Sequence, residues 1–433
     1  MIVPPLRRPM HLAAFVEGVN HTTAWRDPRA GDQMAFSSFA HIARTVERGR
    51  FDFLFLGQGL RMRERNGQLF ELDIAGRPES FTMMSALSDV TTHLGLAVTI
   101  NTTFTDPVDI ARSFATLDHL SGGRAAWNVV TSSDAFTGEN FRRGGYLDYR
   151  DRYRRASDVV DACRALWAGG PVDRADGLAP VRGVLSVPPP PQGQPVIIQA
   201  GDSAEGVAFG ARVADIIFSR HSALPDAISF RADVDRAARA AGREPGDLRV
   251  LPIARIVLGD TAEEAAERAR EIGFAQVGPQ RALAFAEQVW GRDLSGFDPD
   301  GPLPDFDPVR PETPLLQGRV QSKADPAAVV ARWRERAAEE GHTLRSLMVA
   351  EYAAPTFVGT PAEVADAMID RVATGACDGY VLGTHLMPGG FDEIVDRVVP
   401  LLQERGALRT DYTGATLREH LGLQACPGSR AAV

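Results

Sequence analysis

The stretch SGGRAAWNVVTSSDAFTGENF, Ser121 to Phe141, decides the fold. Its centre, Ala125, Ala126, Trp127, Val129 and Val130, is almost continuously apolar, as in a parallel strand covered on both faces. Asn128 interrupts the run, and Thr131, Ser132 and Ser133 close it with small hydrogen-bonding groups. A buried amide needs partners, so Asn128 is either a satisfied core residue under a capped turn or part of a ligand site. Upstream, Asp106 to Leu120 has helical apolar spacing at Ile110, Phe114 and Leu117, and Gly122 and Gly123 can take the positive φ of a C-cap. A helix, a glycine stop, a buried strand and a polar exit together make one β/α unit.

The same alternation continues along the chain. Strand-like runs occur at His11 to Val16, Phe51 to Leu56, Leu94 to Ile100, Ala125 to Val130, Pro195 to Gln199, Asp215 to Phe218, Leu248 to Val257 and Gly379 to Leu382. About eight such strands are what a (β/α)8 barrel needs to close. Thr261 with Glu264, and Thr360 with Pro361 and Glu363, have capping-box spacing and mark helix starts. The expected fold class is therefore α/β, a (β/α)8 TIM barrel forming one domain over residues 1–433. Two stretches break the rhythm and are expected to be insertions or long loops: about 169–194, with a proline run at Pro188 to Pro191, and about 276–356. The Asp, Pro and Gly-rich segment Trp290 to Pro314 of the second is a candidate active-site lid.

Composition narrows the functional classes. A formal charge of −9, from 47 basic and 56 acidic residues, argues against nucleic-acid and anionic-membrane partners. The cysteines, Cys163, Cys377 and Cys426, are scattered without metal-ligand spacing, which fits free thiols, a reducing cytoplasm and no structural metal. The apolar run Leu12 to Val16 stops at Glu17, too short for a signal sequence or a membrane span. No nucleophile elbow, P-loop, HExxH or CxxC is present.

In such a barrel the working face lies at the C-terminal ends of the strands. The polar residues there are mostly neutral: Gly57, Gln58 and Gly59; Asn101, Thr102 and Thr103; Asn128 and Thr131; Gln199, Gly201, Asp202 and Ser203. That set suits a flat heterocycle rich in carbonyls and ring nitrogens better than a metal ion. Gly201 and Ser203 lie between a strand and a helix start, where free N–H groups and the helix dipole favour a phosphate, although Ser203 is also an ordinary N-cap residue and Asp202 would repel an anion unless it points away. His21 and His385 follow the first and last strands and could donate to an oxygen that gains charge.

LDHLSGGRAAWNVVTS (Leu117 to Ser132), ENF (Glu139 to Phe141), RYRRA (Arg152 to Ala156), QGQPVIIQAGDS (Gln192 to Ser203) and YTGATLREHLGL (Tyr412 to Leu423) resemble the flavin-dependent monooxygenases of the nitrilotriacetate monooxygenase component A branch of the bacterial luciferase-like superfamily. The resemblance implies a luciferase-like barrel that uses reduced FMN (FMNH2) and O2 and forms a flavin C4a-(hydro)peroxide to oxygenate a small organic substrate, with C–N or C–S cleavage among the outcomes. It implies a separate NAD(P)H-dependent flavin reductase as partner, and a homodimer or homotetramer. It assigns flavin contacts to Thr102, Asn128, Tyr153, Gly201 and Ser203. At two further contact positions the chain departs from the family, with Gln58 where an acidic residue is common and Tyr149 where a histidine is. His21 is the expected stabiliser of the peroxide or developing oxyanion. Other readings remain open: a deazaflavin-dependent oxidoreductase of the same superfamily, a phosphate-binding aldolase or isomerase barrel, which lacks its Lys at a strand end because Lys323 falls in the insertion, and a non-catalytic flavin-binding protein. Arg26, Arg61, Arg63 and Arg65 are cations near early strand exits that an aminopolycarboxylate would call for, or simply surface arginines.

Overall fold

A computed structural model describes residues 6, 8–16, 22–65, 67–69, 78–132, 135–141, 151–311, 315–317 and 324–426. Eight parallel strands close on themselves: β1 (His11–Val16), β2 (Phe53–Leu56), β3 (Gly95–Asn101), β4 (Ala125–Val130), β5 (Val196–Gln199), β6 (Ile216–Ser219), β7 (Arg249–Leu258) and β8 (Gly379–Gly383). Each pairs with its neighbour in sequence, and β8 returns to β1 with Gly379 opposite His11. Phe357–Gly359 adds a short strand on the far end of β7. The expected TIM barrel is therefore what forms.

Alternation along the strands separates two apolar regions. Leu12, Leu54, Leu96, Trp127 and Ile197 face outward to the helices and belong to the main core. Trp127 meets Phe114 of α3 (Pro107–Ser121) and Trp167 of α4 (Arg152–Trp167), whose ring stands edge-on to it at 6.3 Å. Both indoles are fully buried and donate, Trp127 to Ile100 O and Trp167 to Ala111 O, so neither polar edge is stranded. Replacing a core tryptophan of this kind by Ala costs about 3–5 kcal/mol. Ala13, Phe53, Ala97, Ala126, Val196, Ile198, Leu251 and Val381 face inward and fill the lumen.

The lower, N-terminal end is tied by one repeated device. Asp52, Asp215 and Asp378 each immediately precede a strand, and each accepts a hydrogen bond from the backbone N–H near the start of an adjacent strand: Leu12 at 3.1 Å, Ile197 at 2.9 Å and Val250 at 2.8 Å. Arginines from elsewhere in the chain neutralise them, Arg409 on Asp52, Arg418 on Asp215 and Arg231 on Asp378. Burial alone would raise the Asp52 carboxyl, but Arg409 and His11 outweigh it and hold it below its ordinary value. Beneath the strands, Leu417 and Leu421 of the segment TLREHL plug the lumen from below. They fit because β3 begins with Gly95, where a Cβ would lie 2.7 Å from Leu417 Cδ1.

The stretches expected as insertions have structure of their own. In residues 169–194, Val172–Arg174 and Val181–Gly183 form an antiparallel pair, and Gln192 bonds the buried Asp118 at 2.6 Å. In residues 276–356, the helices α8 (Pro279–Trp290), α9 (Pro326–Glu340) and α10 (Leu344–Tyr352) enclose a second core around Trp290, Trp333, Leu347 and Met348. Much of this stretch is thus helical rather than loop. The described part of the candidate lid folds back on that core, with Trp290 Nε1 and Arg334 Nη2 both donating to Phe306 O; residues 312–314 lie outside the described residues. Leu316–Gln317 pairs antiparallel with Glu64–Arg65 beyond the β2 exit and joins the insertion to the barrel mouth.

Candidate functional site

The floor of the upper mouth is aromatic. Phe15 of β1 and Phe55 of β2 are register partners on the lumen side and stack at 4.6 Å, and Phe218 of β6 stands edge-on to both. On the β3–β4 side the wall turns polar. Thr99 donates to Leu56 O, and Asn128 Nδ2 donates to Thr99 Oγ1 at 3.1 Å. The other end of the same amide, Asn128 Oδ1, is buried with no donor among the described residues. A buried carbonyl left unpaired costs about 1–3 kcal/mol, so the residue is set up to receive a donor from outside the chain. Thr102 is fully buried; its hydroxyl donates to Val130 O at 3.1 Å and its carbonyl accepts from Arg155 Nε at 2.9 Å, so it clamps the β3 exit to the β4 exit.

The β5 exit forms a cradle. Ser203 caps α5 (Ala204–Val213) by accepting from Gly206 N at 3.1 Å, which leaves its own hydroxyl proton to donate. Gly201 and Gly206 pack so closely that a Cβ on either would come within 2.7 Å of Tyr153 Oη and 3.0 Å of the other's backbone. The tyrosine hydroxyl therefore lies over two glycines at a helix N-terminus, and the Arg152 guanidinium sits 4.3 Å from the Tyr153 ring. Asp202 is drawn to Arg220 at 2.7 Å; burial pushes its carboxyl up, and that bond more than offsets it. The expected clash of Asp202 with an anion is thereby relieved.

His385 lies across the mouth. It lines a pocket at the β7 and β8 exits with Arg255, Ile256, Ile272, Gln276 and Pro355. Burial, reinforced by Arg268 and Arg29, pushes its imidazole down to about 4, so the ring is neutral at pH 7 and can donate only one proton in a hydrogen bond. The β1 exit loop closes over this side, with Ala24 N donating to His385 O at 2.7 Å and Gln276 Nε2 to Thr22 O. His21 and Tyr149 lie outside the described residues. Gln58 is half-buried just past β2, in a loop held to the β4 exit by Asn140 Nδ2 on Leu60 O and by Arg61 on Glu139.

Thr102, Asn128, Tyr153, Gly201 and Ser203 thus belong to three consecutive strand exits and the helix α4 that packs beside them. His385 is separate, on the opposite wall. Arg255 escaped notice in the sequence, although a cation inside the apolar run LPIARIVL is a signal. Among the early arginines, Arg61 pairs with Glu64 and Glu139, and Arg65 with Glu287. Among the described residues no group of three or more His, Cys, Asp or Glu is placed to hold a metal, and no helix is long and apolar enough to cross a membrane. The three cysteines are free thiols.

A family model described as luciferase-like monooxygenase matches residues 10–378. The chain is 35% identical to N-acetyl-S-(2-succino)cysteine monooxygenase of Bacillus subtilis (strain 168), over 96% of this chain and 97% of the relative. It is 35% identical to nitrilotriacetate monooxygenase component A of Aminobacter aminovorans, over 94% of each. Among solved structures it resembles EDTA monooxygenase from Chelativorans sp. BNC1, with a TM-score of 0.73 and 28% identity over 97% of this chain and 100% of that one.

Proposed function

From the premise that the chain belongs to the luciferase-like monooxygenase family and is an oxygenating, flavin-dependent enzyme, we propose that it is the oxygenase of a two-component system: it takes FMNH2 from a separate NAD(P)H-dependent reductase and uses O2 to oxygenate a small organic acid. The observation that carries the choice of cofactor is the pairing, on consecutive strand exits, of an open buried acceptor, Asn128 Oδ1, with an anion cradle at Gly201, Ser203 and Tyr153. A flavin mononucleotide has a ring N–H for the first and a phosphate for the second.

When bound, the reduced flavin supplies the electrons that activate O2. The chain's own residues do the rest. Asn128, held by Thr99, orients the ring system, while Thr102 keeps the β3 and β4 exits at a fixed spacing. The α5 dipole contributes about 0.3–1 kcal/mol toward the phosphate, so the hydroxyls of Ser203 and Tyr153 must provide most of the hold. Phe15, Phe55 and Phe218 give an apolar floor that excludes water from the reacting centre. His385, neutral, donates a hydrogen bond from the opposite wall to an oxygen that gains charge. The family resemblance assigns His21, Gln58 and Tyr149 to the flavin and oxygen side, and in this reading the insertion, tied to Glu64–Arg65 by its strand contact, covers the mouth.

The test is to mix the protein anaerobically with FMNH2, admit O2 and follow flavin absorbance by stopped flow, beside equilibrium titrations with FMN and with the deazaflavin F420. Saturable FMN binding and an oxidation phase absent from free FMNH2 are expected. Preference for F420 would establish the deazaflavin reading instead, and tight FMN binding without oxygen-dependent turnover would leave a flavin-binding protein.

A further inference from the structure

Gln199 is the last residue of β5, and strand alternation decides where it points. Val196 and Ile198 face the lumen and Ile197 faces the helices, so Gln199 also projects outward, beneath α5. Its side chain is enclosed there, with 4% of the residue exposed. Two glycines make the room. A Cβ on Gly201, just before α5, would stand 2.6 Å from Gln199 Nε2, and one on Gly210, further along the helix, would stand 2.8 Å from Gln199 Oε1. The amide therefore lies along the inner face of α5 with its nitrogen at the cradle and its oxygen deeper in the fold.

The deep end is poorly served. Gln199 Oε1 is buried with no donor among the described residues, and it shares the space over Gly210 with the Ile217 side chain, whose Cδ1 stands 2.7 Å from the same Cβ position. A methionine would fill nearly the same volume without burying an unpaired carbonyl. The amide is thus unfavourable unless its nitrogen performs a task that no apolar side chain can. That nitrogen meets Tyr153. The Cβ position of Gly201 is approached by Gln199 Nε2 from β5 and by Tyr153 Oη from α4, at 2.6 and 2.7 Å. Nε2 carries only hydrogens, so toward it the phenol oxygen can accept but not donate. The single phenol proton is then left for a partner in the cradle, where Tyr153 Oη also overhangs Gly206.

We propose that Gln199 is the positioning residue of the anion cradle: its amide N–H donates to Tyr153 Oη and so fixes the tyrosine hydroxyl as a donor to a bound phosphate. This rests on the flavin reading, which puts the FMN phosphate at Gly201, Ser203 and Tyr153. A free phenol can turn either its proton or its lone pairs toward an incoming ligand, and the amide removes the second choice. The cradle thereby selects groups that only accept hydrogen bonds, as phosphate oxygens do.

The test is fluorescence titration of the full chain with FMN and with riboflavin, which lacks the phosphate, for the wild type, Gln199→Met, Gln199→Glu, Tyr153→Phe and the double variant Gln199→Met with Tyr153→Phe. Gln199→Met is expected to weaken FMN several-fold. Gln199→Glu, whose carboxylate takes the phenol proton and adds a negative charge, should weaken it at least tenfold, with riboflavin affinity unchanged in both. Once Tyr153 is Phe, Gln199→Met should add nothing. Equal losses for FMN and riboflavin, wild-type FMN affinity in Gln199→Met, or additive losses in the double variant overturn the proposal. A crystal structure of the wild-type FMN complex needs no variant, so a protein that fails to fold does not shield the idea. Gln199 Nε2 should lie within hydrogen-bond distance of Tyr153 Oη, and that Oη against a phosphate oxygen; an amide turned away from the phenol overturns the assignment. The two readings fail differently. A wild type that binds riboflavin as tightly as FMN removes the phosphate from the cradle and this proposal with it, whereas a wild type that favours FMN beside a silent Gln199→Met removes only the role of Gln199.

Discussion

Arg65 holds Glu287 with two bonds, Nε to Oε2 at 2.8 Å and Nη2 to Oε1 at 2.5 Å, although the two residues are far apart in sequence and the Glu287 side chain is only 3% exposed. The same carboxylate accepts from Leu294 N at 2.9 Å. One buried charge therefore joins the loop beyond β2 to the helix that begins the insertion.

Removing one partner of a buried pair strands the other, which costs about 3–5 kcal/mol when both are buried. Because the Arg65 side chain is 27% exposed, Arg65→Ala is expected to destabilise the protein by roughly 2–3 kcal/mol in urea unfolding. Glu287→Gln should cost less, and the double variant less than the sum of the two. An Arg65→Ala protein as stable as the wild type would show that the insertion is held by its strand contact alone.

On the proposed flavin reading, Tyr153 is the residue that distinguishes the hold on the phosphate from the hold on the rest of the flavin. Tyr153→Phe is expected to weaken FMN roughly tenfold or more, the cost of one hydrogen bond to a charged group, while leaving riboflavin affinity unchanged. Fluorescence titration with both ligands measures this. An equal loss for both would place the hydroxyl against the ring system or the ribityl chain and not at the phosphate.

Asp118 gives the protein a pH signature. Burial pushes its carboxyl up to about 6, against the hydrogen bonds it accepts from Ala125 N, Gln192 N and the Gln192 side chain. The folded state therefore holds this proton more tightly than the unfolded chain, and the stability it confers below the ordinary carboxyl range is lost as pH rises through 6. A shift of about two units corresponds to roughly 3 kcal/mol. Between pH 4 and pH 7 the wild type should lose about that much stability relative to Asp118→Asn, as measured by denaturation at each pH. Parallel curves for the two proteins would mean that the carboxyl titrates normally.

Much of the barrel was legible because strands buried on both faces leave apolar runs that no other element imitates. All eight strands begin and end within two residues of the runs read from the sequence. Gly122 takes the left-handed φ of 68° expected of a C-cap, and Thr360 with Glu363 forms the expected capping box. The helical nature of the second insertion was hidden by its composition. Trp290 to Pro314 is dense in Asp, Pro and Gly, and its neighbour α10 is capped by Thr343 with Ser346, a pairing less conspicuous than one with glutamate. Arg255 was hidden for another reason. An apolar run announces a strand but not which of its residues face the lumen, and that alternation became readable only once Leu251 and Arg249 had partners. Long-range pairs such as Arg65 with Glu287 leave no local trace, since each residue alone resembles a solvated charge.

Leu417 and Leu421 fill the bottom of the barrel, yet they are synthesised after every strand they support. A growing chain can therefore assemble the ring of strands before it owns the stopper for that ring, and the interior stays open to water until the ribosome has delivered the segment from Thr416 onward. Sealing therefore comes after the synthesis of every barrel strand, and a polypeptide released before that point leaves Ala97, Ala126 and Phe53 facing a wet cavity.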